Sequence, residues 1–462
     1  MSILAAVAVP HPPIILPEVG QGEEKKIAKT SAAYQEVMQR VAALEPDTVV
    51  ITSPHATMYS DYFHISPGKK AMGDFAAFRA PEVQIEVDYD EAFAKKLADK
   101  CMQEDLPAGF LGEREPSLDH GTMIPLYFLQ PELTKPVKVV RIGLSGLSAD
   151  VHYRFGELIR ETSDELGRRV VFIASGDLSH KLKADGPYGF AKEGPVFDHD
   201  VTEALDRADF LSLLTINHDL AEGAAECGLR SFWIMTGALD RQKVAGELLS
   251  YEGTFGVGYG VAYLKPLGED DSRDIGRQLL QKEKKDIEAL RAKEDGYVHL
   301  ARLSLETYVR SHVVLPVPKD LPEDLQDRRA GCFVSIKKEG RLRGCIGTLA
   351  PGRRNLAEEI ICNAVAAGMH DPRFPQVTPE ELPRLVYDVD VLSEPEPIDS
   401  PKQLDVKRYG VIVQCGERRG VLLPDLAGVD TVAQQIDIAR RKGNIGAKEK
   451  YTLWRFEVTR HV

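Results

Sequence analysis

Basic residues are in deficit in this chain of 462 residues: 58 Lys and Arg stand against 71 Asp and Glu, a formal net charge of −13. A general nucleic-acid binder needs cationic excess to displace counterions from phosphates, so that class is excluded and no nucleic-acid partner is expected. Cysteine is scarce. The six thiols (Cys101, Cys227, Cys332, Cys345, Cys362 and Cys415) are widely spaced and form no C-x-x-C pair, which argues against a disulfide framework and against a zinc ribbon. No apolar run approaches the roughly 18 residues of a membrane span. The opening MSILAAVAVPHPPIILPEVG has neither a basic n-region nor a small-residue cleavage site, and Pro10, Pro12 and Pro13 interrupt it, so it reads as a first strand and not a signal peptide. A cytoplasmic protein without membrane association is expected. Low-complexity segments and internal repeats are also lacking.

What is present is ordinary globular composition, 43% hydrophobic and 28% charged, in a chain long enough for two domains. In the first half, short β-branched runs alternate with longer helical patterns. ILAAVAV (3–9), TVVITS (48–53), VKVVRIGLS (137–145) and VVFIAS (170–175) read as buried strands, with TFGVGYGVAYLKP (254–266) as a last one. Helices are expected at 23–44, 90–104, 150–167 and 198–215. This alternation predicts an α/β fold with a mainly parallel or mixed central sheet flanked by helices. Residues 1–266 form this domain, and the charge-dense 267–294 reads as a helical linker. Residues 295–462 then change pattern. Hairpins are expected at 331–349 and 409–424, strands at 385–393 and 451–460, and helices at 355–367 and near 431–442, which makes a smaller α+β domain.

Three histidines follow predicted strands: His11 in AVAVPHPP, His55 in VVITSPHA and His180 in VVFIASGDLSH. The carboxyl ends of strands form the ligand crevice of an open α/β sheet, so these side chains are candidates to converge. His120, in PSLDHGTMIPL, precedes an apolar segment. His64, His152, His199 and His218 lie on charged or helical segments and are expected at the surface.

The ordered set PHPP, SPH, LDHG, GDLSH (176–180) and AECG (225–228) resembles the class III extradiol ring-cleaving dioxygenases of the LigB type over most of residues 1–265. The resemblance implies a metal held by His11, His55 and Glu226, with Fe(II) the expected ion. Zn, Cu and Mn are compatible with the same donor types. It further implies His180 as the acid/base that takes a hydroxyl proton from a catechol-like or aminophenol-like substrate, a role matched to the imidazole pKa. His120 would hydrogen-bond substrate or oxygen. Asp177 either orients His180 or the metal shell, or is a plain turn cap. The motifs are similar also to the Memo family, in which a cysteine stands near the late ligand position, so Cys227 is the alternative to Glu226.

The second half resembles the AMMECR family through LRGCIGT (342–348), DPRFPQVTPEEL (371–382) and WRFEVTRH (454–461). Within it, Arg343, Gly344, Cys345 and Gly347 mark the hallmark motif. The glycines permit close backbone approach, and Arg341, Arg343 and Arg373 would face an anion or else pair with the many acids. Cys345 as a nucleophile would need a base, for which His370 is the nearest sequence candidate. The combination corresponds to the AmmeMemoRadiSam system, which implies a radical S-adenosylmethionine protein as partner. The alternative to ring cleavage is accordingly a metal-binding scaffold or modification component. A homodimer is compatible with a chain of this kind.

Overall fold

Five strands run parallel in an eight-stranded sheet, and the four at its centre are apolar on both faces and must be covered on both. In chain order the strands are β1 (Ile3–Val9), β2 (Thr48–Ser53), β3 (Lys70–Phe75), β4 (Ala80–Tyr89), β5 (Lys138–Gly143), β6 (Val170–Ser175), β7 (Gln242–Glu252) and β8 (Tyr259–Glu269). Their order across the sheet is β3-β4-β5-β2-β6-β1-β8-β7. The pairs β4-β5, β5-β2, β2-β6 and β6-β1 are parallel, and β3, β8 and β7 add antiparallel margins. In the computed structural model, which describes residues 2–338, 340–426 and 428–462, this sheet belongs to the first of two compact units, Met1–Gln281 and Lys282–Val462. Met1, Glu339 in the turn of the expected 331–349 hairpin, and Ala427 lie outside the described residues.

Alternate side chains of the central strands feed two separate cores. Val50, Val140 and Phe172 pack under α2 (Glu91–Gln103), α4 (Ala149–Leu166) and α6 (Leu229–Ala238) through Phe93, Phe155, Leu158 and Ile234. Val7, Val49, Ile51 and Ile173 pack under α1 (Ala28–Ala42) and α3 (His120–Leu129) through Tyr34, Val37 and Leu126. The expected 198–215 helix is in fact broken. The helix α5 (Glu193–Asp206) ends where Ala208 adopts φ +50°, and Asp209 caps a new short helix, Phe210–Leu214. The hairpin β3-β4 and the edge strand β7 were not expected. Their exposed positions alternate with buried ones, so no continuous apolar run announces them.

His64 and His152 correct the expectation that they lie at the surface, since both are buried. His152 bonds Ser148 O through Nδ1 at 2.9 Å, one helical turn back, and meets Phe63 and Trp233 edge-on. His64 bonds Leu111 O at 3.1 Å. Each backbone partner offsets the cost of taking a ring nitrogen out of water.

Helix α7 (Ile275–Arg291) carries the charge-dense segment. Its start buries Ile275 and Leu279 in the core of the first unit. In the second unit, a seven-stranded antiparallel sheet comprises β9 (Cys332–Lys338), β10 (Arg341–Gly347), β11 (Leu385–Leu392), β12 (Glu396–Ile398), β13 (Tyr409–Cys415), β14 (Arg418–Leu422) and β15 (Thr452–His461). The order is β10-β9-β11-β15-β13-β14, with β12 on β15. Helices α8 (Gly296–Ser311) and α9 (Leu356–Met369) cover one face through Val298, Leu305, Ile360 and Ala364, and α10 (Val432–Lys442) covers β13 and β14. The chain is therefore an α/β domain with a mixed central sheet, followed by a smaller α+β domain, as expected.

Candidate metal centre

Strand β6 lies between β1 and β2, so the carboxyl ends of these three parallel strands open side by side into one crevice. Just past β1 and β2, Pro10 and Pro54 cannot donate to the sheet ladder, and the next residues, His11 and His55, project from the strand ends. His11 is buried and His55 exposed, and their Nε2 atoms face each other at 3.1 Å. A third ring arrives from a different kind of element. Asp119 is the N-cap of α3, accepting from Thr122 N at 3.0 Å, which makes His120 the first helical residue. The His120 ring lies 4.1 Å from that of His55 and 5.5 Å from that of His11. The candidate ligand atoms of His11, His55 and His120 all fall within 4.8 Å of one another.

Asp119 serves both outer histidines. Its side chain is only 7% exposed, takes a paired contact from the buried Arg141 at 3.0 and 3.2 Å, and accepts from Ser53 Oγ at 2.5 Å, while Ser53 Oγ in turn accepts from His55 N at 3.2 Å. Burial would raise this carboxyl, yet Arg141 and the Ser53 and Thr122 bonds hold it below its ordinary value. Gly121 is required here for space, because a Cβ would lie 2.4 Å from Ser53 Oγ.

Glu226 and Cys227 separate. Neither belongs to the grouped ligand atoms of His11, His55 and His120, and the Glu226 carboxylate accepts from Leu229 N at 2.7 Å. Cys227 Sγ lies 3.6 Å from His11 Nε2 and accepts from Asp177 N at 3.3 Å. The approach depends on Gly176 and Gly228, whose backbones meet so closely that a Cβ on Gly176 would come within 2.1 Å of Gly228 Cα. Of the residues named from sequence, His11, His55 and His120 thus come together, with the Cys227 sulfur beside them. Asp177 accepts from His11 N at 2.8 Å and so holds the backbone of a grouped histidine. His180 stacks on Tyr188 at 5.1 Å.

Desolvation dominates the electrostatics. It pushes His11 and His120 down to about 3, with neighbouring histidines adding to the fall. It lowers His180 as well, against the pull of Asp177. It lifts Asp177 to about 6 and Glu226 to about 7, and raises the Cys227 thiol. Neutral imidazoles with converging nitrogens are the donor form a divalent transition ion takes, so the residues present fit a metal. Ser53, Asp119, Arg141 and Ser175 were not found from sequence, because only the fold brings them under the histidines. The Asp before His120, in cap position ahead of an apolar helix, was the one available signal.

In the second unit, Arg343 pairs with Glu381 through Nε at 3.0 Å and Nη2 at 2.9 Å and donates to Pro375 O at 2.9 Å. Arg373 pairs with Asp371 at 2.7 Å and donates to Cys345 O at 3.0 Å, while Cys345 N donates to Asp371 at 2.9 Å. Both arginines are engaged by acids and carbonyls of the domain. Cys345 Sγ accepts from Ser335 Oγ at 3.3 Å, and His370 is an exposed helix cap. Gly344 and Gly347 fit packing: a Cβ would lie 2.2 Å from Ala367 O and 2.3 Å from the Phe333 ring, respectively.

A family model for the catalytic LigB subunit of aromatic ring-opening dioxygenase matches residues 5–262, and one for AMMECR1 matches residues 298–461. A Clostridium acetobutylicum protein is 42% identical over 469 residues, covering 100% of this chain and 99% of its own. A Thermotoga maritima protein is 49% identical over 170 residues, 36% of this chain and 98% of that protein. A solved Pyrococcus horikoshii structure is 30% identical with a TM-score of 0.33, covering 36% of this chain and 88% of that one. An Escherichia coli K12 structure is 16% identical with a TM-score of 0.40, over 57% of this chain and 99% of that one.

Proposed function

Because the chain belongs to the family of the catalytic LigB subunit of aromatic ring-opening dioxygenases and carries an AMMECR1 domain behind it, we propose that its first unit is a metal-dependent oxidoreductase opening a catechol-like or aminophenol-like ring. The convergence of His11, His55 and His120 at the ends of adjacent parallel strands carries this reading. These three rings would hold the ion, Fe(II) by preference, with Cys227, whose Sγ lies 3.6 Å from His11 Nε2, as a further donor. When bound, such an ion supplies open positions at which a catecholate and dioxygen meet.

The remaining work belongs to the chain. His180, kept neutral by burial, takes a substrate hydroxyl proton on a free ring nitrogen and later returns it. Tyr188, stacked on it, fixes the plane of that ring. Asp177 holds the His11 backbone and, through its charge, limits the fall of His180 basicity. Metal analysis of anaerobically purified protein, followed by oxygen uptake with a panel of catechols, tests the proposal. Iron with oxygen consumption and a yellow ring-opened product is expected, and His11→Ala should lose both. Protein without bound metal overturns it.

One observation favours a second reading. The third donor of a ring-cleaving site is a carboxylate, whereas here a sulfur lies 3.6 Å from His11 Nε2 and Glu226 is bonded to backbone. In that reading the unit is a metal-binding modification component working with a radical S-adenosylmethionine protein, without ring cleavage. Metal binding without oxygen uptake on any catechol, together with capture of such a partner, would favour it.

A further inference from the structure

Helix α3 contains a proline at its sixth position, Pro125. In an α-helix the carbonyl of residue i accepts from the amide of residue i+4, and proline has no amide proton to give. The carbonyl left without that partner is Gly121 O, one residue beyond His120. It is met by Ser175 Oγ at 2.6 Å, from the last residue of β6. A carbonyl only accepts, so the single hydroxyl proton of Ser175 is committed to Gly121. Ser175 is fully buried, and its backbone carbonyl is held by Ser231 Oγ at 2.9 Å. Ser175 Oγ itself lies 3.0 Å from His11 Nδ1. With its proton already given, Ser175 Oγ can only accept there, and His11 must donate from Nδ1.

We infer that Pro125, acting through Gly121 and Ser175, locks His11 in the Nδ1-protonated tautomer, which presents the bare Nε2 to the centre of the histidine group. Pro125 and Ser175 are positioning residues, and their relevance to metal loading rests on the metal-binding reading above. The facing nitrogens sharpen the consequence. His55 Nε2 sits 3.1 Å from His11 Nε2. Two bare lone pairs would repel at that distance, so without metal His55 donates its Nε2 proton to His11. On loading, the exposed His55 must exchange to its Nδ1-protonated tautomer, releasing the Nε2 proton to water and taking one at Nδ1, while His11 keeps its tautomer. The buried ring is thereby ready and the exposed one adjusts.

The test is long-range proton–nitrogen NMR on full-length, chelator-treated chain with labelled histidine, then with zinc as the probe. Expected is an Nδ1-protonated His11 throughout, and a His55 that is Nε2-protonated without zinc and bare at that atom with it. Pro125→Ala supplies the missing amide, which frees the Ser175 hydroxyl to turn toward His11. The variant should therefore show the opposite His11 tautomer and bind zinc about 10- to 100-fold more weakly in chelator competition. Alanine is the better helix former, so this variant is expected to fold. Ser175→Ala should weaken zinc to a similar degree. An Nε2-protonated His11 in the metal-free parent overturns the inference, as does a Pro125→Ala chain with unchanged tautomer and affinity. A chain with the expected tautomer that binds no zinc overturns the metal reading instead.

Discussion

The two units treat their polar side chains in opposite ways. In the second unit three described acids near the LRGCIGT strand are matched within the domain: Glu381 to Arg343, Asp371 to Arg373 and the Cys345 amide, Glu359 to Thr348 Oγ and the amides of Gly352 and Arg353. In the first unit, matched pairs such as Arg141–Asp119 form a support, and above it three imidazoles converge, with a thiol 3.6 Å from one of them. Converging donors of like kind stabilise nothing by themselves. They resemble a site assembled for something that binds, whereas interlocked opposite charges resemble a site assembled to hold a loop. The most specific motif in the sequence thus builds scaffold, and the shorter motifs build the candidate centre.

The largest expected effect lies where that contrast is starkest. His11→Ala should reduce zinc affinity by more than about a hundredfold, since loss of a ligand should exceed the 10- to 100-fold typical of outer-shell partners. Arg343→Ala should leave zinc stoichiometry and affinity at the parent values. Chelator competition on both full-length variants measures this, and a loss of zinc in Arg343→Ala would break the comparison.

Next in size, Arg343→Ala should destabilise the second unit by about 2 kcal/mol, because it removes the two-point guanidinium partner of the mostly buried Glu381 side chain and leaves only Lys338, 3.3 Å away, as its cation. Each unit carries one tryptophan, Trp233 in the first and Trp454 in the second. Urea unfolding followed by fluorescence in Trp233→Phe and Trp454→Phe backgrounds therefore reads the units separately. The Trp454 transition should move and the Trp233 transition should not.

Sequence was informative in proportion to how local each signal was. β1, β2 and β6 are continuous apolar runs and appear where the runs lie. The placement of His11 and His55 followed from them, because a strand fixes where its next residue emerges. Sequence marks helix α3 only as an apolar segment and does not place His120 among the ligand atoms, because its position depends on the Asp119 cap. Strand order, which puts β6 between β1 and β2 and Ser175 beneath His11, is a long-range property that no local pattern carries. The same holds for Cys227, whose proximity follows from a glycine-to-glycine contact between residues 52 apart in sequence.

A third, smaller effect separates Glu226 from Cys227. Enclosure raises the Glu226 carboxyl from 4.5 to about 7, so the stability it contributes is present below pH 4.5 and is lost as pH rises through 7. Glu226→Gln removes that dependence while keeping an acceptor for Leu229 N. The variant should be more stable than the parent by about 1 to 2 kcal/mol at pH 8, with the gap closing near pH 5. Thermal unfolding at the two pH values measures it. If Glu226 only anchors backbone, zinc affinity stays at the parent value in this variant and falls in Cys227→Ala. A fall in Glu226→Gln would restore the carboxylate as a ligand.

The smallest effect concerns Arg373, whose side chain is 55% exposed although its partner Asp371 is buried. Exposure lets water screen the pair, so Arg373→Ala should cost under about 1 kcal/mol at pH 7. The acid response is the sharper measure. Arg373 is the leading cause holding the Asp371 carboxyl below 3.8. A depressed acid contributes stability above its unfolded value and loses it as pH falls, so the second unit of the parent should weaken below pH 3.8. Removing the guanidinium lets Asp371 titrate nearer its ordinary value, which flattens that loss. Urea midpoints of the Trp454 transition at pH 7 and pH 3 should therefore lie closer together in Arg373→Ala than in the parent. A variant that keeps the parent's acid slope would mean that the amides of Cys345 and Arg373 hold Asp371 on their own, and that this guanidinium is free for a ligand after all.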